Sequence, residues 1–341
     1  AAIVFIFTVA TLINRRRRRR NSLPNDLKVC SPTSKLVSPS IPQAGLPDNS
    51  RFRTNLTSRF LSKFPFLLEI WYWNLTYWTY QLARAYSATL IRTSPTAHAT
   101  AINHARSILH LEQRIGIALE LPTQRFILDR TPWLMPLLAR VYYSHIVVGI
   151  LFIVYTYMSL PHGTYTRVRR TIAVNNMLAF VILTAWRCAP PRLMPREYGF
   201  VDVLHPPPPG QPTFWNNNPF QLTIAAMPSL HFGTSLYLCL CLVHFSPHRP
   251  LRLLAPLWPA AMLLTILATA NHWVLDAVVG ACIPFIGWRL HWIFDCEASR
   301  RIEQWGFWLL KTEKPRVRAG SEKDEDFREE AVRRKDGAWM A

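Results

Sequence analysis

The chain has few acidic residues and no paired cysteines, and each shortage excludes a class of protein. Its 341 residues include 20 acidic and 39 basic residues, which gives a formal net charge of +19. The six cysteines are scattered without CxxC spacing, so the sequence predicts neither a disulfide framework nor a zinc site. It also lacks the cluster of carboxylates that a magnesium or calcium site needs. We therefore expect no metal and no cofactor.

Apolar residues make up half of the chain, and they are bunched into long runs. Such runs favour a bilayer over a water-soluble core. The basic residues lie mostly outside these runs, on tails and short loops, which is the distribution that the positive-inside rule gives a membrane protein. We therefore expect the positive charge to reflect a membrane protein in a bilayer, and we do not expect the protein to bind nucleic acid.

The first 63 residues predict a leader and a basic linker. Residues 1–13 are apolar and precede the arginine run 15–20. They are short for a span of about 20 residues, so a clipped signal anchor and a leader without a structural role both fit. Residues 21–49 are rich in Pro, Ser and Asn, which predicts a disordered linker.

Six apolar segments predict an all-α membrane bundle over residues 64–296. They cover residues 64–91, 134–158, 172–186, 222–245, 251–270 and 273–294. Charges interrupt apolar residues at helical spacing over 102–121, which predicts an amphipathic surface helix. Residues 297–341 predict a charged cytoplasmic tail, flexible beyond about Gln304.

Basic residues in alternate connections predict the orientation of the bundle. Four segments on one face carry them: before the first span (Arg51, Arg53, Arg59, Lys63), between the second and third (Arg167, Arg169, Arg170), between the fourth and fifth (Arg249, Arg252), and after the sixth (Arg300, Arg301, Lys311, Lys314). The positive-inside rule makes this face cytoplasmic, although arginines in 92–133 weaken the asymmetry. The fourth and sixth spans then begin on the opposite face.

The fourth predicted span opens with Pro228-Ser229-Leu230-His231. Proline is favourable in the first turn of a helix, where its missing N–H costs nothing. The helix N-terminus would present free backbone N–H groups to an anion, with Ser229 and His231 beside them.

The sixth predicted span opens with His272-Trp273-Val274-Leu275-Asp276. On a helix, the four-residue spacing places the Asp276 carboxylate near the His272 imidazole, where it would fix the tautomer and leave the other nitrogen free to attack. One span down and one back would bring His231 to the same face as a general acid. Each group alone fits an interhelical packing contact, but the convergence of three ionisable groups favours a site.

These two segments resemble the second and third signature motifs of the type 2 phosphatidic acid phosphatase and haloperoxidase superfamily. With Ala189-Pro190-Pro191-Arg192-Leu193 and Gly199-Phe200-Val201-Asp202, they resemble the branch of inositol phosphorylceramide synthases. The resemblance implies that His272 forms a phosphohistidine, that Asp276 orients it, and that His231 is the general acid. It also implies a lipid phosphate as substrate.

The chain departs from the phosphatase signature in its arginines. Ile266 stands where the signature has a phosphate-binding arginine, and the first motif, a lysine followed by Arg-Pro, is absent. Arg192 is therefore the predicted phosphate-binding cation, with Arg187 and Arg196 behind it, although interfacial anchoring also fits all three. Ser229 is predicted to donate a hydrogen bond to phosphate, with helix capping as the alternative.

The sequence thus predicts a multi-pass lipid phosphotransferase or phosphatase. Its active site would lie on the non-cytoplasmic face, which suits the Golgi, the endoplasmic reticulum or the outside of a plasma membrane. The alternative outside the enzymes is a catalytically silent membrane scaffold or transporter with the same helical bundle. A vanadate haloperoxidase shares the histidine pair, but the membrane spans and missing arginines argue against it.

Overall fold

A computed structural model describes residues 2–15, 47–92, 95–204 and 226–315, and the regular structure in these ranges is helical, which confirms the all-α prediction. Short 3-10 turns link several of the helices. The helices are α1 (Ala2–Ile13), α2 (Leu56–Lys63), α3 (Phe66–Arg92), α4 (Pro95–Ile115), α5 (Glu120–Arg130), α6 (Leu134–Ser159), α7 (His162–Ala185), α8 (Leu230–Phe245), α9 (Arg249–Leu254), α10 (Leu257–Ala268), α11 (Val274–Leu290) and α12 (Glu297–Leu309).

Four helical stretches are long and apolar enough to cross a membrane: α6, α7, α9 with α10, and α11 extended to Phe294. They match four of the six predicted spans. The fourth predicted span corresponds to α8, a shorter apolar helix whose predicted start at 222–225 lies outside the described residues. The first corresponds to α3, which is 27 residues long but is not among the four.

Several predicted boundaries differ from the observed ones. Helix α7 begins at His162 instead of residue 172, so Arg167, Arg169 and Arg170 lie on its first turns. The amphipathic segment predicted at 102–121 is the second half of α4 with the start of α5. Helix α12 continues to Leu309, past the point at which the tail was predicted to become flexible.

The chain divides into two compact units. Among the described residues, one unit is built mainly from residues 73–92, 95–204 and 226–292, and the other from residues 7–15, 47–72 and 293–315. In the second unit, Arg53 pairs with Glu313 at 3.0 Å, and the Asn55 side chain donates to the carbonyl of Lys311 at 2.8 Å. The predicted linker lies outside the described residues apart from 47–49, as does the tail beyond residue 315.

In the first unit, α11 packs against α7 and α8, while α10 packs against α6 and α8. Helices α8 and α11 approach so closely that their backbones touch. A side chain on Gly233 would overlap the carbonyl oxygen of Gly280, and one on Gly280 would overlap the carbonyl oxygen of Ser229. Small residues at such crossings are typical of membrane helices because they permit close packing. The contact fixes the start of α8 against α11.

Replacing Gly280 with alanine is expected to destabilise the protein. The new methyl group would meet backbone, which cannot rotate away, and overpacking of this kind costs about 1–3 kcal/mol. A lower melting temperature in detergent is the expected result. Gly149→Ala in α6 is the matched control, because a methyl group there meets nothing within 4 Å. Equal melting temperatures for the two variants would contradict the backbone contact.

Candidate active site

His272 lies just before α11, in a short connection from α10. Trp273 is the N-cap of α11, so His272 is outside the helix rather than on its first turn. His272 is 6% exposed, and its Nδ1 lies 2.7 Å from the carbonyl oxygen of Ala226. The same nitrogen is 3.6 Å from Oδ2 of Asp276. The two residues are therefore close, as the spacing predicted, although not through stacking along a helix.

The contact with Ala226 fixes the tautomer of His272. A carbonyl oxygen only accepts hydrogen bonds, so Nδ1 must carry a proton and donate it. In a neutral ring, Nε2 then keeps its lone pair. The carboxylate of Asp276, the group predicted to orient the ring, also accepts the backbone N–H of Trp273 at 2.8 Å, and its orienting role stays a prediction. The other oxygen of Asp276 is buried and has no hydrogen-bond partner in the described part of the chain.

His231 lies on the first turn of α8, and its ring centroid is 5.6 Å from that of His272. The ring of Tyr142 stacks on His231 at 4.3 Å, and the ring of His145 meets it edge-on at 4.5 Å. Both neighbours come from α6. They hold the His231 ring facing His272.

Ser229 is the N-cap of α8, and its hydroxyl accepts the N–H of Phe232 at 3.3 Å. The residue is fully buried. Pro228 precedes the cap, so the prediction that it lies in the first turn is wrong. The first N–H groups of a helix have no carbonyl partner within it, and here the cap satisfies only that of Phe232. The N–H groups of Leu230 and His231 therefore have no partner within the helix.

Arg192 reaches the histidine segment from the loop after α7. Its Nε donates to the side-chain oxygen of Asn271 at 3.0 Å, and its Nη1 pairs with Asp202 at 2.7 Å. Its backbone N–H donates to the carbonyl of Ala270 at 2.9 Å. The guanidinium is thus fixed beside the residue that precedes His272. Arg196 is exposed, and the backbone carbonyl of Arg187 lies 2.7 Å from Nδ1 of His104.

Arg84 of α3 was missed by sequence reasoning. It lies close enough for its charge to act on His231 and on Tyr142. Its helix was predicted only as an apolar span, and nothing in the local sequence connects α3 with the two motifs.

Three carboxylates cap the start of α11. Asp276 accepts the N–H of Trp273, Glu120 accepts that of Val274 at 2.6 Å, and Glu112 accepts that of Leu275 at 2.8 Å. Sequence reasoning had treated Glu112 and Glu120 only as charges on a surface helix, yet both are at most 1% exposed. Three carboxyl groups thus already occupy the N-terminus of α11. Within the ranges that the structure describes, carboxyl groups do not occupy the N–H groups of Leu230 and His231 in this way, so of these two helices it is α8 whose N-terminus can bind a phosphate.

This geometry defines a class of protein: a multi-pass membrane protein with paired histidines, a neighbouring arginine and a helix N-terminus at one point of its bundle. The profile of the PAP2 superfamily matches residues 106–290, more than half of the chain. The chain therefore belongs to the PAP2 superfamily, which is consistent with a phosphatase or phosphotransferase acting on phosphate esters. Searches of curated proteins and of solved structures gave no significant match.

Proposed function

We propose that the protein is a metal-independent lipid phosphotransferase or phosphatase that works through a phosphohistidine at His272. The observation that carries this proposal is the hydrogen bond from Nδ1 of His272 to the carbonyl of Ala226, because it leaves Nε2 available as a nucleophile. The positions of His231 and Arg192 support it.

In the first step, Nε2 of His272 attacks the phosphorus of the lipid phosphate ester. The P–N bond forms as the P–O bond to the leaving group breaks. Protonated His231 gives its proton to the leaving oxygen, which prevents the release of an alkoxide. The positive charge that develops on the His272 ring lies 3.6 Å from Asp276. Arg192, Arg84 and the N–H groups of Leu230 and His231 stabilise the equatorial oxygens.

In the second step, an acceptor hydroxyl attacks the phosphohistidine. His231, now neutral, takes the proton of the acceptor, the P–N bond breaks, and His272 returns to its starting state. Water as acceptor gives a phosphatase, and an alcohol gives a transferase. The departures from the phosphatase arginines and the resemblance to inositol phosphorylceramide synthases favour the transferase, with the active site on the non-cytoplasmic face.

The test is an assay of purified protein on a panel of labelled phospholipids, including an inositol phospholipid as donor, with and without ceramide as the acceptor alcohol and in the presence of a chelator. We expect release or transfer of the headgroup phosphate, and the product separates phosphatase from transferase. A wild-type protein that is inert across the panel would favour the alternative, a scaffold or transporter that retains the bundle.

Replacing Arg192 with glutamine is expected to lower kcat/KM by about 10²–10³-fold, the usual effect of removing a charged group that stabilises a developing oxyanion. Arg192→Lys keeps the charge but loses the paired contacts to Asn271 and Asp202. Its kcat/KM is expected to lie between that of wild type and that of Arg192→Gln. The control is Arg196→Gln, an exposed arginine of the same loop. If the control loses as much activity as Arg192→Gln, general interfacial charge explains the effect.

A further inference from the structure

Glu112 and Glu120 form a buried carboxyl pair beside the proposed nucleophile. Glu112 comes from α4 and Glu120 from the first turn of α5. Each accepts one of two consecutive backbone N–H groups, those of Leu275 and Val274, at the start of α11. His272 lies two residues before Val274, so this contact fixes the chain immediately after the histidine.

The contact between the two side chains requires a proton. Glu112 and Glu120 accept two consecutive backbone N–H groups, which brings their carboxyl groups together as an interacting pair. Ionised carboxylates only accept hydrogen bonds, so one of the two must be protonated to donate. Oε1 of Glu112 already accepts the N–H of Leu275, while Oε2 is buried and accepts nothing. Oε2 is therefore the atom left to carry the proton, and Glu120 carries the charge.

The surroundings favour one shared proton over two charges. The other titratable groups that face the pair are Asp276 of α11, a third carboxylate, and the Cys188 thiol from the loop after α7. Neither supplies a positive charge. Burial, with the nearby carboxylates, raises the pKa of Glu112 to about 9, and burial also raises the pKa of Glu120. A helix N-terminus stabilises a single negative charge, but a second would repel it.

We propose that Glu112 and Glu120 share one proton and act together as positioning residues that hold the start of α11, and with it His272, in place for phosphoryl transfer. This inference rests on the proposed function. Trp273 also holds this segment, because it is fully buried and its Nε1 donates to the carbonyl of Ala189 at 2.9 Å. Neither glutamate touches the phosphate in this scheme, so each acts through His272.

Two substitutions of Glu112 test whether a neutral, hydrogen-bonding group is enough to position His272. Glu112→Gln retains an oxygen for the N–H of Leu275 and an N–H for Glu120, so it imitates the protonated acid. We expect its kcat/KM at pH 7 to stay within about threefold of wild type. Glu112→Ala removes both contacts, and a displacement of about 1 Å at His272 would lower kcat by about 10²-fold.

The pH profile gives a readout that a purely structural role would not change. As the pH rises past about 9, wild-type Glu112 loses its proton and the pair repels. Activity should fall there in wild type, but this alkaline loss should be absent from Glu112→Gln. The folded pKa of Glu112 is raised, so its contribution to stability is complete at low pH and is lost as the pH rises towards 9. The melting temperature of wild type should therefore fall over this window more steeply than that of Glu112→Gln.

The experiment uses the full-length protein in detergent, with activity and melting temperature measured from pH 6 to 10 for wild type, Glu112→Gln and Glu112→Ala. An alkaline loss of activity and of melting temperature that is the same in wild type and Glu112→Gln would overturn the shared proton. Full activity in Glu112→Ala would overturn the positioning role. If wild type transfers no phosphate, the proposed function fails, while the melting curves still decide whether the proton is shared.

Discussion

Replacing His272 with alanine is expected to abolish phosphoryl transfer, with kcat falling roughly 10⁴-fold or more. Removing a nucleophile from a covalent mechanism leaves only the binding groups to stabilise the transition state. Because Nδ1 is already committed to the carbonyl of Ala226, no other ring atom can attack. Brief incubation of wild type with a phosphate-labelled lipid, followed by alkaline quenching, should leave label on the protein, and the alanine variant should carry none.

His291→Ala is the matched control for that variant. His291 follows α11 at its other end, is half-buried, and likewise uses Nδ1 against a backbone carbonyl, that of Trp288 at 2.9 Å. We expect it to keep wild-type activity. His272→Asn, which retains a polar side chain at the position, guards against misfolding. Label on the His272 variants, or activity in them, would falsify the covalent role.

Replacing His231 with asparagine is expected to lower kcat by 10²–10⁴-fold on ordinary lipid esters, which is the usual contribution of a general acid. The size of the loss should depend on the leaving group. A lipid phosphate ester with a nitrophenyl leaving group needs no proton on departure, so its first step should be nearly unaffected. The second step still lacks its base, so phosphohistidine should accumulate and appear as a burst of nitrophenol.

The control for His231→Asn is His145→Asn, because His145 touches the His231 ring without reaching the His272 segment through any contact in the described residues. It should show a smaller loss, equal for both substrates. If His231→Asn slows the first step, measured as release of the leaving group within the first turnover, to the same extent on both substrates, proton donation to the leaving group is not its role.

Local sequence predicted the chemical groups of the candidate site well. Four residues separate His272 from Asp276, and one pair of spans separates His231 from His272, so chain topology alone brings the three together. The structure places them close, with 5.6 Å between the ring centroids and 3.6 Å between His272 and Asp276. Arg192 was identified from its position in a loop on the same face. The roles of these residues in catalysis stay predictions.

The support around these groups could not be predicted, because it comes from backbone atoms and distant helices. The partner of His272 Nδ1 is the carbonyl of Ala226, and every residue offers such a carbonyl. Glu112 and Glu120 were interpreted as charges of an amphipathic surface helix, yet their carboxyl groups bind the start of another helix. The influence of Arg84 on His231 could not be predicted, because hydrophobic periodicity does not show which helices lie beside each other.

The apolar runs predicted which helices exist more accurately than the residues at which those helices begin and end. The runs at 134–158 and 273–294 correspond closely to α6 and to Val274–Phe294. Helix α7 begins earlier because Arg167, Arg169 and Arg170 are compatible with a helix although not with an apolar window. Arg167 lies over the Trp288 ring at 4.0 Å, a cation–π contact that hydropathy does not register.

The glycine contact between α8 and α11 limits how the proposed lipid substrate can reach the histidines. Because Gly233 and Gly280 meet backbone to backbone, the two helices that carry the histidine motifs cannot part without losing their tightest packing. A bulky substrate must therefore arrive from another side, and the acyl chains can stay in the bilayer while the headgroup alone moves inward. A reaction centre held this rigidly would select its lipids through the surfaces along that route rather than through the histidines themselves.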